Sequence, residues 1–290
     1  MILKYSFIPL HEQVLDRLKT AGKVWSYYFR HQLPHAEALK KTAAFKNKHK
    51  GQAAFVLGCG PSLNKLDLRK LAKYQKEDQF KVYAVNSYLL SEYTQELVPD
   101  YYFLSDPALF GHKTDYGQAY DDKAQDLVRR VSEKIKVLSL PVFIPADFYD
   151  KVDWPTKYPF CDQQDLYSKN IIDPIRPRGY LSATVLKALT MALFMGHEKI
   201  YIAGIDCSDI KYTFVNKKNE MHLDYRHFFN DNHNPLRISY AANMCEMLYW
   251  EHLLYESYRR FWEYPIINLD PDGLLDCFSK EHELDIYKVN

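Results

Sequence analysis

The feature that most constrains the fold of this chain is an alternation of apolar and amphipathic segments that begins at residue 53. Segments with the 3.6-residue spacing of helices separate the apolar runs. The runs that we predict as strands are AAFVLG from residue 53, KVYAVN at 81–86, DYYFLSD at 100–106, KIKVLSL at 134–140, KIYIAGID at 199–206 and PIINLD at 265–270. Such alternation predicts an α/β protein with a mostly parallel sheet and helices on both faces. Right-handed crossovers then give a Rossmann-like, doubly wound fold.

Two regions do not follow this alternation of strands and helices. Residues 1–50 lack strand patterning and carry five lysines between positions 40 and 50. We predict a helical, basic N-terminal extension, which either packs on the main domain with a solvated face or rests on anionic lipid. The Rossmann-like domain then covers 51–290. Within it, residues 141–178 are rich in Pro, Asp and aromatic side chains and predict a small lid or subdomain.

The composition limits which binding partners and which cellular compartment we expect. A net charge of +1 gives no reason to expect nucleic acid as a partner. The five cysteines are scattered without a CxxC pair, which argues against a zinc site or a disulfide scaffold and favours a reducing compartment. No apolar run is long enough to span a membrane, and the N-terminus lacks the pattern of a signal peptide. We therefore predict a cytoplasmic protein, and leave open a peripheral contact with the inner membrane.

The stretch AAFVLGCGPSLNKLD at 53–67 places a glycine-rich turn after the first strand. Gly58 and Gly60 remove side chains where a ligand would approach the backbone, and Pro61 and Ser62 suit the start of a helix. Unpaired N–H groups at such a turn favour an anion. Leu63 stands where the third glycine of GxGxxG would be, and no GK[ST] follows, which argues against NAD and P-loop sites. A nucleotide-binding turn and a plain strand–helix corner both remain open.

Further segments follow this turn in a characteristic order. VYAVNSYLL ends a strand at Asn86, FLSDPALF contains Asp106, RGYLSATV begins at Arg178, and IYIAGID precedes KYTF. Together with GCGPSL, this order resembles the bacterial sialyltransferases of glycosyltransferase family 42 and the related MptE-like, glycosyltransferase-like proteins. The resemblance covers roughly residues 53 to 270.

The resemblance implies an inverting, metal-independent glycosyltransferase without a cofactor. Its donor substrate would be a CMP-activated sugar, sialic-acid-like or another nonulosonic acid, and its acceptor a bacterial cell-surface glycan or the lipid-linked precursor. Family contacts with substrate and nucleotide fall on Gly58, Cys59, Gly60, Pro61, Ser62, Asn86, Asp106, Arg178, Ser182, Thr184, Asp206 and Tyr212. Cys59 and Asp106 each replace a family asparagine, which leaves the donor, and activity itself, open.

A general base is expected in the loop NEMHLDYRHFFNDNHNP, which contains His222, His227 and His233. Histidine suits this task because its pKa lies near neutral pH. The MptE-like proteins carry an HFxxD pattern that His227 matches, whereas the sialyltransferases place their histidine after an Asn-rich run, which matches His233. We predict His227 as the base, with His233 as the alternative.

Two other functions remain open at this stage. An MptE-like pyrophosphokinase would transfer pyrophosphate from ATP to 6-hydroxymethyl-dihydropterin and would need carboxylates for Mg²⁺, for which Asp106 and Asp206 are the apparent pair. A catalytically silent nucleotide-binding scaffold would keep only the fold. The partners that we expect are a nucleotide-sugar donor and a glycan or glycolipid acceptor; a homo-oligomer is left open.

Overall fold

The computed structural model of the chain describes residues 10–113, 118–165, 167–179, 181, 183–207, 209–224, 228, 235–238 and 241–281. Its α-helices are α1 Leu10–Tyr27, α2 Ala36–Ala43, α3 Leu68–Lys76, α4 Gln118–Leu138, α5 Thr184–Phe194 and α6 Met244–Arg259. The strands are β1 Ala53–Leu57, β2 Phe80–Val85, β3 Tyr101–Phe103, β4 Val142–Pro145, β5 Lys157–Phe160, β6 Lys199–Ala203, β7 Thr213–Val215, β8 Met221–Leu223, β9 Leu236–Arg237, β10 Ile266–Asn268 and β11 Ser279–Lys280. Short 3₁₀ turns follow the carboxyl ends of β1, β2, β3 and β4.

The described part of the chain forms an eight-stranded sheet in the order β11-β10-β6-β1-β2-β3-β4-β5. Every neighbouring pair in it is parallel. The chain builds outward from β1 to β5 on one side and then returns to β6 on the other side of β1. The strand order therefore reverses between β1 and β6, and the predicted Rossmann-like, parallel α/β fold is confirmed.

Helices cover both faces of the sheet because β1 is apolar on both sides. Phe55 and Leu57 pack in one core with side chains from α3 and α4, whereas Ala54 and Val56 pack in a second core with α5 and the residues that follow α6. Burial on both faces is typical of parallel sheets.

The strand predicted at 134–140 is wrong, because α4 continues through this segment to Leu138. Val131 and Ile135 are buried and lie four residues apart, as in one face of a helix, while Val137 is 83% exposed. Ile135 and Val137 alternate with lysines in the sequence, and this two-residue spacing resembles the pattern of a strand.

Residues 141–178 contribute more to the sheet than a lid would. The segment supplies β4 and β5, and β5 forms the end of the main sheet. The structure places a separate antiparallel sheet of β7, β8 and β9 after β6 instead, at the end of the main sheet where the strands finish.

The described part of the N-terminal segment is helical, as predicted, but its second half is integral to the core. Thr42 Oγ1 donates to the carbonyl of Pro159 at 2.8 Å. The ring of Phe45 packs edge-on against Tyr101 and Phe143. Asn47 N donates to the carbonyl of Phe194 at 3.0 Å. The boundary predicted near residue 50 therefore lies inside a packed region.

Candidate functional site

The candidate site lies at the carboxyl end of the main sheet, where β1, β2, β3 and β6 finish. In doubly wound folds, ligands bind outside the carboxyl ends of the strands, next to the point where the strand order reverses. That point falls here between β1 and β6, so the glycine turn after β1 faces the loop after β6.

The glycines of this turn are required by the close approach of two backbone segments. Gly58 N donates to the carbonyl of Ala203 and Gly60 N to the carbonyl of Gly204, both at 2.8 Å. A Cβ on Gly58 would lie 2.1 Å from the Gly204 carbonyl oxygen, and one on Gly60 would lie 1.6 Å from Asp206 Oδ2. The predicted glycine turn thus has a structural cause that is independent of any ligand.

Pro61 and Ser62 begin a 3₁₀ turn over Pro61–Lys65, not the α-helix that their types suggest. Ser62 Oγ accepts a hydrogen bond from Gly204 N at 3.1 Å, across the turn. Ser62 N in turn donates to Asp206 Oδ1 at 3.0 Å. Ser62 therefore joins the loops after β1 and β6.

Asp206 is a buried carboxyl group that its surroundings leave incompletely satisfied. Its Oδ2 receives no hydrogen bond from the described residues. Burial, together with the nearby carboxyl group of Asp270, raises the pKa of Asp206 to about 6. Asp270 is itself held by Lys65, whose Nζ lies 2.8 Å from Asp270 Oδ1.

Asp270 was not among the predicted site residues, because NLDPDG has the composition of a turn. The feature that could have identified Asp270 is its position in the strand order. Asp270 follows β10, and β10 pairs with β6, so Asp270 and Asp206 end adjacent parallel strands. A carboxylate pair therefore lies beside the glycine turn.

The end of β2 carries a second incompletely satisfied group. Asn86 has a φ of +49°, in the left-handed region that asparagine tolerates better than most residues. Its Oδ1 is buried and has no hydrogen-bond partner within the described ranges. The hydroxyl of Tyr102 donates to the Asn86 carbonyl, which fixes the backbone.

Cys59 points toward β2. Its Sγ donates to the carbonyl of Val85 at 3.4 Å, and burial raises the pKa of the thiol. The residue that replaces the family asparagine thus bonds the β1 turn to the end of β2.

Asp106, at the end of β3, caps a 3₁₀ turn. Its side chain accepts from Ala108 N at 2.9 Å, across the start of Pro107–Phe110. Between β3 and β6 lie β1 and β2, so strand spacing alone places Asp106 roughly 14 Å from Asp206. The structure does not bring these two carboxylates together as a pair.

A buried lysine lies beside Thr184, the first residue of α5. Thr184 Oγ1 lies 2.8 Å from Ser105 Oγ, at the end of β3. Lys187 Nζ donates to Ser105 Oγ at 3.1 Å and to Asp162 Oδ2 at 2.8 Å. Lys187 was not predicted, because the apolar run around it is typical of a core helix.

The histidine loop is anchored over the glycine turn at one described residue. Phe228 N donates to the carbonyl of Cys59 at 3.0 Å, and Asn64 Nδ2 donates to the carbonyl of Phe228 at 2.7 Å. The Phe228 ring stacks near Tyr88 and Tyr93, with centroids 6.1 and 6.2 Å away. Phe228 is the sequence neighbour of the predicted base. The predicted residues His227, His233 and Ser182 themselves lie outside the described residues.

Other predicted residues lie elsewhere. Arg178 is buried and donates to Thr190 Oγ1 and to the Cys161 carbonyl, so its contacts are those of the core. Tyr212 packs with the small antiparallel sheet. His222, in that sheet, stacks on Phe214. The binding roles predicted for Arg178 and Tyr212 stay predictions.

No family model matches this chain. No curated protein matches it either. Among solved structures, the chain is similar to the structure of the MAf glycosyltransferase from Magnetospirillum magneticum AMB-1, with a TM-score of 0.45 and 15% identity. The match covers 85% of this chain and 38% of that one, so this chain spans well under half the length of that protein. A likeness at this level does not indicate a function, so the function has to be argued from the residues of this chain.

The described residues contain no cluster of three or more His, Cys, Asp or Glu side chains suited to a metal ion. None of the helices within the described ranges is both long enough and apolar enough to span a bilayer.

Proposed function

We propose that this chain is an inverting glycosyltransferase whose donor is a CMP-activated sialic-acid-like or other nonulosonic sugar. The acceptor is a bacterial cell-surface glycan or its lipid-linked precursor. One observation carries the proposal: the loop that contains His227 is anchored by Phe228 on the Gly58–Gly60 turn, beside the reversal in strand order. The glycine turn and the loop of the predicted base thereby lie together where doubly wound folds bind nucleotides, which supports this proposal.

In the proposed reaction, His227 removes the proton from the acceptor hydroxyl. The acceptor oxygen attacks the anomeric carbon on the side opposite CMP, and the bond from that carbon to the phosphate oxygen breaks. CMP leaves with the electron pair, the anomeric configuration inverts, and His227 holds the proton. Neutral hydroxyl and backbone N–H donors then stabilise the charge that develops on the phosphate.

Asp206 and Asn86 have the chemistry of hydroxyl-binding groups in this site. Asp206 Oδ2 and Asn86 Oδ1 are acceptors without donors from the described residues. A ribose or sugar hydroxyl that donates to either oxygen would satisfy a buried group, which is favourable because an unpaired buried acceptor costs about 1–3 kcal/mol. We assign the two residues to donor binding.

The first test is thermal unfolding with CMP, which should raise the melting temperature, since ligand at 100 times its Kd adds about 2.7 kcal/mol. His227→Ala should lower transfer by about 100-fold or more and leave this shift intact, because general bases contribute at that scale. His222→Ala is the matched control and should keep its activity.

The absence of a shift with every cytidine nucleotide would contradict the donor class. Turnover that survives in His227→Ala but is lost in His233→Ala would move the base to His233. A CMP shift without transfer or donor hydrolysis would indicate the nucleotide-binding scaffold.

A second function is favoured by the adjacent carboxyl groups of Asp206 and Asp270. Carboxylates on neighbouring strands suit Mg²⁺ with phosphate groups, as an MptE-like pyrophosphokinase would need. Formation of AMP from ATP and 6-hydroxymethyl-dihydropterin, abolished by EDTA and by Asp270→Asn, would establish this activity. Transfer from a CMP-sugar that is insensitive to EDTA would favour the glycosyltransferase.

A further inference from the structure

Helix α1 and the π-helical turn Tyr28–Gln32 that continues it present an exposed apolar stripe. Leu18 and Trp25 in α1 are 64% and 61% exposed, Phe29 in the turn is 57% exposed, and Val14 lies in line with them. Spacings of four and seven residues place these side chains on one face of a helix. Monomeric soluble proteins rarely expose contiguous apolar patches of this kind without an interaction partner.

The stripe faces away from the body of the protein. The helix is attached through Tyr27, whose hydroxyl donates to Asp147 Oδ1 at 2.9 Å and accepts from Asp162 N at 3.1 Å. At 100° per residue, Tyr27 lies about 160° around the helix from Trp25. The attached face and the apolar face are therefore on opposite sides of α1.

A basic groove lies on the flank of α1, between the apolar stripe and the attached face. Lys19, Lys23 and Arg30 line a cavity of about 520 Å³ together with Tyr27 and Gln163. None of these three cations forms an ion pair with a residue in the described ranges. The groove has the charge and the size to receive a phosphate-bearing group.

The charge of the whole segment has the same sign. Residues 1–50 contain ten Lys and Arg and three Asp and Glu, a net charge of +7, in a chain whose net charge is +1. The remaining residues therefore carry a net charge of −6. The basic charge is concentrated in the segment that exposes the apolar stripe.

We infer that α1 lies in the plane of an anionic membrane surface, with its apolar stripe among the acyl chains and lipid phosphates at the groove of Lys19, Lys23 and Arg30. An apolar face flanked by Lys and Arg is the pattern of interfacial helices. A second copy of the chain fits less well, because a two-fold contact through this face would bring the same basic segment of each copy together. The inference is independent of the chemistry at the carboxyl end of the sheet.

The apolar part is tested by flotation of the full chain with vesicles. Three parts phosphatidylcholine to one part phosphatidylglycerol should bind the wild type at least tenfold more strongly than phosphatidylcholine alone. Trp25→Ser combined with Phe29→Ser should weaken binding by tenfold or more. Trp262→Ser is the matched control, since Trp262 is 66% exposed outside α1, and it should bind as the wild type does.

The charged part is tested by Lys19→Glu with Lys23→Glu, which should abolish the preference for phosphatidylglycerol. Lys73→Glu with Lys76→Glu makes the same charge change on α3 and should keep the preference. Circular dichroism and the melting temperature establish that each variant is folded. Failure of the wild type to float, or equal binding by both lysine pairs, would overturn the inference. A dimer in lipid-free solution that Trp25→Ser with Phe29→Ser dissociates would assign the stripe to a second copy.

Discussion

Both ends of the main sheet bury polar side chains, but the two ends differ in whether the hydrogen bonds of these side chains are satisfied. At the amino end, His49 and His197 stack with centroids 5.2 Å apart. His49 Nε2 lies 2.7 Å from the Tyr101 hydroxyl, and His197 Nε2 lies 2.8 Å from the Tyr83 hydroxyl. The Nδ1 atom of each ring bonds to Gln52 at 3.0 Å. All four ring nitrogens therefore have partners inside the protein.

At the carboxyl end, buried acceptors on Asp206 and Asn86 have no donor among the described residues. An unsatisfied buried polar group in a native structure calls for an explanation, such as a ligand that supplies the missing donor. Burial of a histidine alone therefore does not indicate function, whereas an unsatisfied buried acceptor at a strand end points to a binding site.

The largest expected effect is at the β1 turn. Gly58→Ala should lower the free energy of unfolding by about 3 kcal/mol, because the new Cβ meets the Gly204 backbone, which cannot move alone. Gly22→Ala is the control: no atom lies within 4 Å of its Cβ, and alanine favours a helix by about 1 kcal/mol. Urea unfolding measures both. An equally stable Gly58→Ala protein would show that the two loops are looser than described.

A smaller difference in stability is expected between one variant at each end of the sheet. Tyr83→Phe should cost about 2 kcal/mol, because it leaves a buried nitrogen of His197 without its partner. Asp206→Asn should leave stability at pH 7 unchanged or higher, since it removes a poorly satisfied buried carboxyl group, while it impairs donor binding. Similar losses of stability in both variants would remove the distinction between the ends.

The smallest effect is a difference in pH dependence. Burial lowers the pKa of His197 to about 4, so the folded state binds fewer protons than the unfolded state between pH 6.5 and 4, and stability falls as the pH drops through this range. Asp206, with a pKa raised to about 6, has the opposite effect between pH 6 and 4. Asp206→Asn should therefore lose about 1 kcal/mol more than the wild type between pH 6 and 5. Urea titrations at each pH measure this, and parallel curves would contradict it.

The fold could be predicted because strands such as β1 and β6 are short apolar runs that end in glycine turns. At 134–140 the pattern failed, because Ile135 and Val137 alternate like strand residues while Ile135 in fact pairs with Val131 along a helix. Site residues were harder to predict. Lys187 is a candidate site residue because it bonds to Asp162, and Asp270 is one because it lies near Asp206. The partners of each pair are distant in the sequence, so no local spacing indicates these contacts.

The packing of Thr42 and Phe45 has a practical consequence for anyone who shortens this chain. Phe45 contributes to the core of the sheet, and Thr42 bonds to the strand at its end, so deletion up to residue 50 would remove part of the interior. Helix α1, in contrast, is held by few described contacts. A chain that begins near residue 34 should therefore express as a folded protein that no longer floats with anionic vesicles, whereas one that begins at residue 51 should aggregate.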